Sequence, residues 1–483
     1  MFDVKLLVGG QDVDAVRGGS FERRNPLSGE VVSRAAAGEA ADAVKLVEAA
    51  AAAFPAWADM APNARRKLLQ AAAAKLREKS AAFIERCTAE TGSTAGWGHF
   101  NVHFAAMLLD EAAAMTTQIA GEVVPSDHHG TLAMAMRQPC GVVLGMAPWN
   151  APVILGVRAI AMPLACGNTV ILKASELSPA THRLIGDVFT ESGFPPGVVN
   201  VMLHTAEAAP SVAEATIAHR AVRRVNFTGS TRVGRLIAET AGLHLKPVLL
   251  ELGGKAPLVV LDDADLDEAA AAANFGAFMH QGQICMATER VIVDEKVAGD
   301  FVARFKQRAE ALTVGDPAKG QFALSCLVDE GSVVRVNALI ADAKAKGAAI
   351  VCGGPSNGVL FPPTIVDRVT SGMRLYSEES FGPVVAVIRA KDTDDAVRLA
   401  NDSDYGLAAA VFGRDLSRAL SVARRIESGI CHINSATVQD EGQMPFGGVK
   451  NSGYGRFGGR AAVDAFTELR WISVATEPRH YPI

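Results

Sequence analysis

Three residues in separate short motifs have the side chains needed for covalent chemistry at a carbonyl carbon. Cys285 ends the run Met-His-Gln-Gly-Gln-Ile-Cys and offers a thiol nucleophile. Glu251 begins Glu-Leu-Gly-Gly-Lys and offers a carboxylate base, and Asn150 ends Pro-Trp-Asn and offers an amide donor for an oxyanion. Each alone has an ordinary structural explanation, since an isolated cysteine is usually a small buried apolar residue. Their joint occurrence predicts an active site.

Two further stretches suit a dinucleotide. The run Phe-Thr-Gly-Ser-Thr-Arg-Val-Gly at 227–234 follows a strand-like segment and opens a helix-like one, so that backbone N–H groups and the helix dipole can meet a pyrophosphate. It lacks the Gly-x-Gly-x-x-Gly spacing, and an ordinary strand-to-helix turn explains it equally well. Lys173 and Glu176 follow another strand-like run, where they either bind ribose hydroxyls or belong to a solvated loop.

The elements that must position these residues alternate between short apolar runs and helical patterns. This alternation from 141 to 251 predicts right-handed βαβ units and a parallel sheet, and its repetition from about 253 predicts a second α/β domain. Residues 131–137 alternate in polarity and predict a strand with one apolar face, suited to assembly. The predicted strands are 142–144, 170–172, 198–201, 222–227, 248–250, 257–260 and 290–294, and the predicted helices are 40–54, 62–88, 99–119, 152–164, 178–192, 230–241, 265–278 and 296–312.

Composition narrows the class of protein. The chain has 483 residues, of which 49% are hydrophobic, and this length predicts two or three well-packed domains. Its net charge is −5, and its dispersed Lys and Arg residues form no basic stripe, so nucleic acid and membrane are not expected partners. The uncharged stretch 139–157 approaches the length of a membrane-spanning helix, but its proline and glycine residues break any continuous apolar helix. Seven cysteines without metal-ligand spacing predict no zinc site and favour the cytoplasm.

Seven short motifs are spread over nearly the whole chain. Their order and rough spacing resemble those of the NAD(P)-dependent aldehyde dehydrogenase superfamily, and most closely its salicylaldehyde, vanillin and benzaldehyde-type dehydrogenases. The glutamate and cysteine motifs are the most specific. The motifs are Pro-Trp-Asn at 148–150, Gly-Asn-Thr-Val-Ile-Leu-Lys at 167–173, Phe-Thr-Gly-Ser at 227–230, Glu-Leu-Gly-Gly-Lys at 251–255, Gln-Gly-Gln-Ile-Cys at 281–285, Glu-Ser-Phe-Gly-Pro at 379–383 and Pro-Phe-Gly-Gly at 445–448.

The resemblance implies a fold and an assembly. It implies a Rossmann-like NAD-binding domain from 1–120 and 141–252 and an α/β catalytic domain from 253–452. A small β bridging element from 121–140 and 468–483 is expected to pair between subunits, which implies a homodimer or a dimer of dimers.

The resemblance also implies the chemistry. Cys285 attacks an aldehyde, Asn150 and the Cys285 backbone N–H hold the oxyanion, and Glu251 activates the water that hydrolyses the resulting thioester to a carboxylic acid. The Glu176 carboxylate accepts from a ribose hydroxyl but repels a 2′-phosphate, which predicts NAD in preference to NADP. The implied cofactor contacts are Trp149, Lys173, Glu176, Gly229, Ser230, Glu379 and Phe381.

The expected aldehyde is aromatic. Ala151 and Arg158 stand where classical members for small aliphatic aldehydes have aromatic residues, which widens the predicted pocket. Arg158 either bonds a phenolic oxygen or ring carboxylate or pairs with a surface acid, and Trp97 either stacks on the substrate ring or packs in the core. Ile284 and Phe446 complete the predicted pocket.

Three alternatives stay open. One is a broad-specificity aliphatic aldehyde dehydrogenase. Another is an acylating enzyme that transfers the thioester to coenzyme A, although that branch generally lacks the glutamate found at 251. The third is a non-catalytic protein on the same scaffold.

Overall fold

The computed structural model describes residues 1–483 and contains 15 helices and 23 strands. The helices are α1 (Ala40–Ala58), α2 (Pro62–Glu78), α3 (Ser80–Thr91), α4 (Ala95–Met115), α5 (Pro152–Ala165), α6 (Pro179–Glu191), α7 (Ala209–Ala218), α8 (Thr231–Leu243), α9 (Leu266–Phe278), α10 (Ala298–Glu310), α11 (Glu330–Ala345), α12 (Arg374–Ser377), α13 (Thr393–Asn401), α14 (Leu416–Ala423) and α15 (Gly459–Phe466).

The strands are β1 (Phe2–Val4), β2 (Leu6–Val8), β3 (Gln11–Val13), β4 (Ser20–Arg24), β5 (Val31–Ala36), β6 (Glu122–Val124), β7 (Thr131–Pro139), β8 (Val142–Met146), β9 (Thr169–Lys173), β10 (Val199–Met202), β11 (Val222–Thr228), β12 (Val248–Glu251), β13 (Ala256–Val260), β14 (Thr288–Asp294), β15 (Ala349–Cys352), β16 (Thr364–Asp367), β17 (Val384–Ala390), β18 (Tyr405–Gly406), β19 (Ala408–Phe412), β20 (Ile430–Ile433), β21 (Val449–Lys450), β22 (Gly453–Tyr454) and β23 (Thr467–Ala475).

The first large sheet has eight strands in the order β22-β12-β11-β8-β9-β10-β2-β3. Its five central strands, β12, β11, β8, β9 and β10, are parallel, and most of their residues are buried because helices cover both faces of the sheet. The carboxyl ends of β8, β9, β11 and β12 therefore lie along one edge of the sheet. The segments that leave this edge include Pro-Trp-Asn at 148–150, Lys173, Gly229 and Glu251.

The second large sheet has seven strands in the order β15-β16-β17-β14-β13-β19-β20, all parallel except for β15. Successive side chains along each strand point to opposite faces of the sheet and join two different apolar clusters. Val259 and Ile292 belong to one cluster, and Leu258 and Val291 belong to the other. Cys285 and Glu379 each lie shortly before a strand of this sheet, β14 and β17. Both large sheets agree with the predicted α/β class.

A small antiparallel sheet, β23-β7-β6, stands apart from the two large sheets. Strands β7 and β23 pair along their whole lengths, from Thr131 with Ala475 to Pro139 with Thr467. Several large apolar side chains of this sheet are exposed: Val123, Val124, Leu132, Met136, Leu469, Trp471 and Val474. The register places Val123, Leu132, Met136 and Val474 on one face of the sheet and Val124, Leu469 and Trp471 on the other. Apolar side chains that stay open to solvent are typical of a surface used for association.

Some elements differ from the sequence prediction. The helix predicted at 62–88 is two helices that meet at Lys79, and the helix α7 was not predicted. Strands β1 to β5 lie in the first 36 residues, and β2 and β3 extend the eight-stranded sheet. These strands are short and Gly-flanked, so they have too few residues to display a period. No helix combines the length and apolar character required to cross a membrane.

Candidate active site

Cys285 follows a strained turn. The segment 279–282 forms a 3-10 turn in which His280 and Gln281 adopt positive φ values of 49° and 58°. Non-glycine residues in this region carry strain, which concentrates at functional sites. A Cβ atom on Gly254 would collide with the Cys285 carbonyl oxygen, so the 251–255 loop approaches Cys285 closely only because it has glycine there.

Glu251 ends β12 and is buried, with 1% of its surface exposed. Neither of its carboxylate oxygens accepts a hydrogen bond in the structure. Burial raises the pKa of Glu251 to about 7, while its interactions with the Cys285 thiol and Arg158 act in the opposite direction. A carboxylate with such a pKa exchanges protons readily near neutral pH, as a general base requires.

The Cys285 thiol must lose its proton to become a nucleophile. Burial and the neighbouring Glu251 carboxylate raise the pKa of Cys285 well above its usual range. The thiol is therefore protonated at neutral pH. It becomes a nucleophile when a base accepts its proton, and Glu251 is the carboxylate adjacent to it.

Asn150 lies between β8 and α5 and is held at both ends. Its side-chain Nδ2 donates to the Gln283 carbonyl over 2.9 Å, and its backbone carbonyl accepts from Trp97 Nε1 over 2.9 Å. One N–H of the amide is thus used to fix the side chain against the cysteine segment. Its second N–H can donate to the oxyanion that forms when the Cys285 sulfur adds to a carbonyl carbon.

Two cavities meet at Cys285, and both are lined by Asn150, Leu155 and Cys285. The first, called here the polar cavity, is about 340 Å³ and includes charged and hydroxyl side chains in its lining. The second, the apolar cavity, is about 240 Å³ and is lined mainly by hydrophobic residues. A reacting carbon on Cys285 is therefore accessible from two sides. Such an arrangement suits a reaction between two separately bound molecules.

The polar cavity opens at the carboxyl edge of the first sheet, where ligands bind in open α/β sheets. Ser230 caps α8, and its Oγ accepts from the backbone N–H of Val233. The start of α8 thus brings a hydroxyl and helix-terminal N–H groups to the cavity, a donor set that fits a pyrophosphate. The predicted cofactor residues that line it are Trp149, Gly229, Ser230, Glu379 and Phe381.

Glu379 and Phe381 face this cavity from the second sheet. The Glu379 carboxylate accepts from the backbone N–H of Gly254 over 2.8 Å, and burial raises the pKa of Glu379 to about 8. Phe381 has a positive φ of 47°, and its ring meets Trp149 edge to face at 5.9 Å. Glu379 and Phe381 thus line the polar cavity together with Cys285. The carboxyl group of Glu379 suits ribose hydroxyls, and the ring of Phe381 forms an aromatic wall.

Lys173 and Glu176 do not line the polar cavity. Lys173 ends β9 in register with Met146 of β8, so it lies on the same edge of the sheet. Burial lowers the pKa of Lys173 to about 8. Lys173 therefore lies at the same edge of the sheet as the polar cavity, but neither Lys173 nor Glu176 lines that cavity, and their role stays a prediction.

The sequence did not predict a buried ion pair beneath the loop 379–381, which is called here the cofactor loop. Lys255 and Glu289 are both buried, and their Nζ and Oε2 atoms lie 2.5 Å apart. The Glu289 carboxylate also accepts from the backbone N–H groups of Ser380 and Phe381 over 2.9–3.0 Å. The signal available was a Lys in one motif and an acid four residues after Cys285, but nothing in the spacing showed that they meet.

The apolar cavity contains every residue predicted for the substrate pocket: Trp97, Ala151, Arg158, Ile284 and Phe446. Phe100, Phe104, Phe275 and Asp440 also line it and were not predicted. Trp97 stacks on His280 at 4.5 Å and on Phe100 at 5.5 Å, so it packs among aromatic neighbours as well as lining the cavity. Helix α4 had no apolar stripe to reveal which face points inward.

Arg158 is buried in the wall of this cavity. Its guanidinium donates to the Asp440 carboxylate and lies 4.3 Å from the centroid of the Phe446 ring. The acid that pairs with Arg158 is itself largely buried, so the pairing with a surface acid considered from the sequence is wrong in that respect. The polar group and the aromatic rings share one cavity.

Comparison with known proteins identifies the family. The model of the aldehyde dehydrogenase family matches residues 13–472. The chain belongs to the aldehyde dehydrogenase family. Aldehyde dehydrogenases are oxidoreductases that use NAD or NADP, and the cysteine mechanism is general to the family, in agreement with the resemblance drawn from the motifs.

Individual aldehyde dehydrogenases match over the full chain. A vanillin dehydrogenase of Pseudomonas fluorescens is 60% identical over 100% of both chains. A salicylaldehyde dehydrogenase of Pseudomonas putida is 50% identical over 99% of both. The solved structure of a salicylaldehyde dehydrogenase from Pseudomonas putida G7 complexed with salicylaldehyde superposes with a TM-score of 0.98, at 49% identity and 100% coverage of both chains.

Proposed function

We propose that this aldehyde dehydrogenase oxidises an aromatic aldehyde to the carboxylic acid with NAD. The observation that carries the proposal is the position of Cys285 between a polar cavity suited to a dinucleotide and a cavity lined by aromatic rings. An aromatic lining favours a planar ring over a small aliphatic chain. The names of the vanillin and salicylaldehyde dehydrogenases similar to the chain support the same substrate class.

The three predicted catalytic residues divide the work. Glu251 accepts the proton of the Cys285 thiol, and the thiolate adds to the aldehyde carbon to give a thiohemiacetal. The Asn150 amide and the Cys285 backbone N–H donate to the oxygen that becomes negative. NAD held in the polar cavity would supply the hydride acceptor, and loss of the hydride from the thiohemiacetal carbon would leave a thioester on Cys285. After it has released the thiol proton to solvent, Glu251 takes a proton from water, whose oxygen attacks the thioester carbon. The C–S bond then breaks, the Cys285 sulfur recovers the proton from Glu251, and the carboxylic acid leaves.

Comparing substrates tests the proposed class. We expect kcat/KM to be higher for salicylaldehyde, vanillin and benzaldehyde than for acetaldehyde, because only the ring compounds fill the aromatic cavity. A clear preference for acetaldehyde would contradict the proposal. Release of the product by coenzyme A in place of water would favour the acylating alternative, against which Glu251 argues.

For the cofactor we propose NAD in preference to NADP. Trp149, Gly229, Ser230, Glu379 and Phe381 hold the nicotinamide and pyrophosphate portions from the polar cavity. Lys173 and Glu176 take the adenine ribose from the edge of the sheet, where a carboxylate accepts from the 2′-hydroxyl and repels a 2′-phosphate. A lower KM for NADP than for NAD would overturn this preference, and Glu176→Gln is expected to narrow the difference.

We further propose the domain boundaries 1–120 with 141–252, 253–452, and 121–140 with 468–483, and assembly into a homodimer or a dimer of dimers. The exposed apolar side chains of the β23-β7-β6 sheet favour burial against a second copy. Trp471, which is 79% exposed, is the largest of them, so Trp471→Asp is expected to lower the oligomeric state measured by sedimentation. All seven cysteines are free, which suits a cytoplasmic enzyme.

A further inference from the structure

The apolar cavity is the one in which the proposed function places the aldehyde, and it is called here the aldehyde cavity. Arg158 and Asp440 are the only two charged residues that line it. They pair with each other, with 5% and 12% of their side chains exposed. The Arg158 guanidinium also lies against the rings of Phe446 and Phe104, at 4.3 and 6.0 Å from their centroids. The charge of Arg158 is therefore compensated within the cavity wall, not by solvent.

This pairing bears on which ring substituent the cavity accepts. An uncompensated guanidinium in an aromatic cavity would attract a ring carboxylate, since charges interact strongly away from water. With Asp440 bonded to Arg158, an incoming carboxylate meets an acid of its own charge and must displace that acid to reach the guanidinium. A neutral hydroxyl has no such conflict, because it donates to the Asp440 carboxylate and accepts from Arg158.

We infer that Asp440 is a specificity-determining residue that restricts the cavity to neutral aromatic aldehydes, including hydroxylated rings, and rejects aldehydes whose ring carries a carboxylate. The inference rests on the proposed function, because it assumes that the substrate ring occupies this cavity. Asp440 acts here through repulsion, a means of selectivity that adds to attractive contacts. It leaves the chemistry at Cys285 to the residues already described.

The test compares charged and neutral rings in one variant. Asp440→Asn keeps the size of the side chain and removes its charge, so Arg158 becomes uncompensated. We expect the ratio of kcat/KM for 3-carboxybenzaldehyde to that for benzaldehyde to rise at least about tenfold over the wild-type ratio. The matched control is Glu441→Gln, which neutralises an exposed acid next in sequence that does not line the aldehyde cavity, and its ratio should equal that of wild type.

An unchanged ratio in Asp440→Asn would overturn the inference. If that variant does not fold, Arg158→Gln provides the reverse test. It leaves the Asp440 charge unopposed, so the ratio should fall below the wild-type value, and a rise would overturn the inference. A wild-type enzyme that prefers acetaldehyde to benzaldehyde would instead contradict the proposed function, so the two failures are distinguishable.

Discussion

The Glu251 carboxylate adjoins the Cys285 thiol, and burial raises the pKa of both groups. The pKa of Glu251 is raised to about 7, and that of Cys285 is raised well above its usual range. An enzyme with a thiol so reluctant to ionise depends on its base for nucleophile formation as well as for hydrolysis. One carboxylate thus controls both halves of the reaction.

The pH dependence of turnover follows from this pairing. Glu251 acts as a base only when ionised, so kcat/KM for benzaldehyde should rise with pH through about 7 and level off above it. Glu251→Gln should lose this inflection, and its kcat/KM should fall across the whole pH range, because neither the Cys285 thiol nor the hydrolytic water then has a base. Rates measured from pH 5.5 to 9 check this prediction, and an inflection that survives in Glu251→Gln would assign it to another group.

The same pKa has a consequence for stability. A carboxyl whose pKa is higher in the folded than in the unfolded state favours folding less as pH rises from its unfolded pKa of 4.5 to its folded value of about 7. Glu251→Gln removes this loss, so the variant should be more stable than wild type at pH 8, by about 3 kcal/mol at most. At pH 5 the difference should largely disappear. Thermal unfolding at the two pH values, followed by circular dichroism, measures the effect, and equal gains at both would contradict it.

Removing the nucleophile separates chemistry from cofactor binding. Cys285→Ala should lower aldehyde oxidation by about 10³-fold or more, because no other residue at the junction of the two cavities has a thiol. Its Kd for NAD, measured by fluorescence titration, should stay near that of wild type. Cys431→Ala is the matched control, since this half-buried thiol lies outside both cavities, and it should retain activity.

Sequence patterns predicted the parallel elements well, for a physical reason. Strands such as β8, β9 and β13 are covered on both faces, so each is mainly a continuous apolar run. Short strands at the amino terminus carry no such signal, and neither proline nor glycine marks the break at Lys79 between α2 and α3. The local sequence thus indicates the class of fold, but it does not indicate the short amino-terminal strands or the break between α2 and α3.

The site shows the same division. Cys285, Glu251 and Asn150 each belong to a local motif, so their types and order were readable from the chain. Asp440 and Glu289 act through partners 282 and 34 residues away, and no local spacing encodes such meetings. Pairings that tune a site therefore required the folded structure.

Glu289 connects the two loops that flank the thiol. Its carboxylate bonds the Lys255 ammonium, at the end of the loop that begins with Glu251, and accepts from the N–H groups of Ser380 and Phe381. Phe381 is held there at a positive φ, a conformation that needs support from its surroundings. Glu289 is therefore expected to position the cofactor loop without touching the aldehyde cavity.

Glu289→Gln should weaken the cofactor side of the reaction selectively. The amide keeps one acceptor but loses the charge that holds Lys255, so the loop at 379–381 becomes less fixed and KM for NAD should rise about tenfold or more. Hydrolysis of an activated aryl ester in the absence of NAD uses Cys285 and Glu251 but not that loop, and it should change less than about twofold. Glu268→Gln, at an exposed position on α9, is the control and should leave both activities intact. Equal losses of both activities in Glu289→Gln would mean that the residue supports the fold in general, and a KM for NAD equal to wild type would exclude the positioning role.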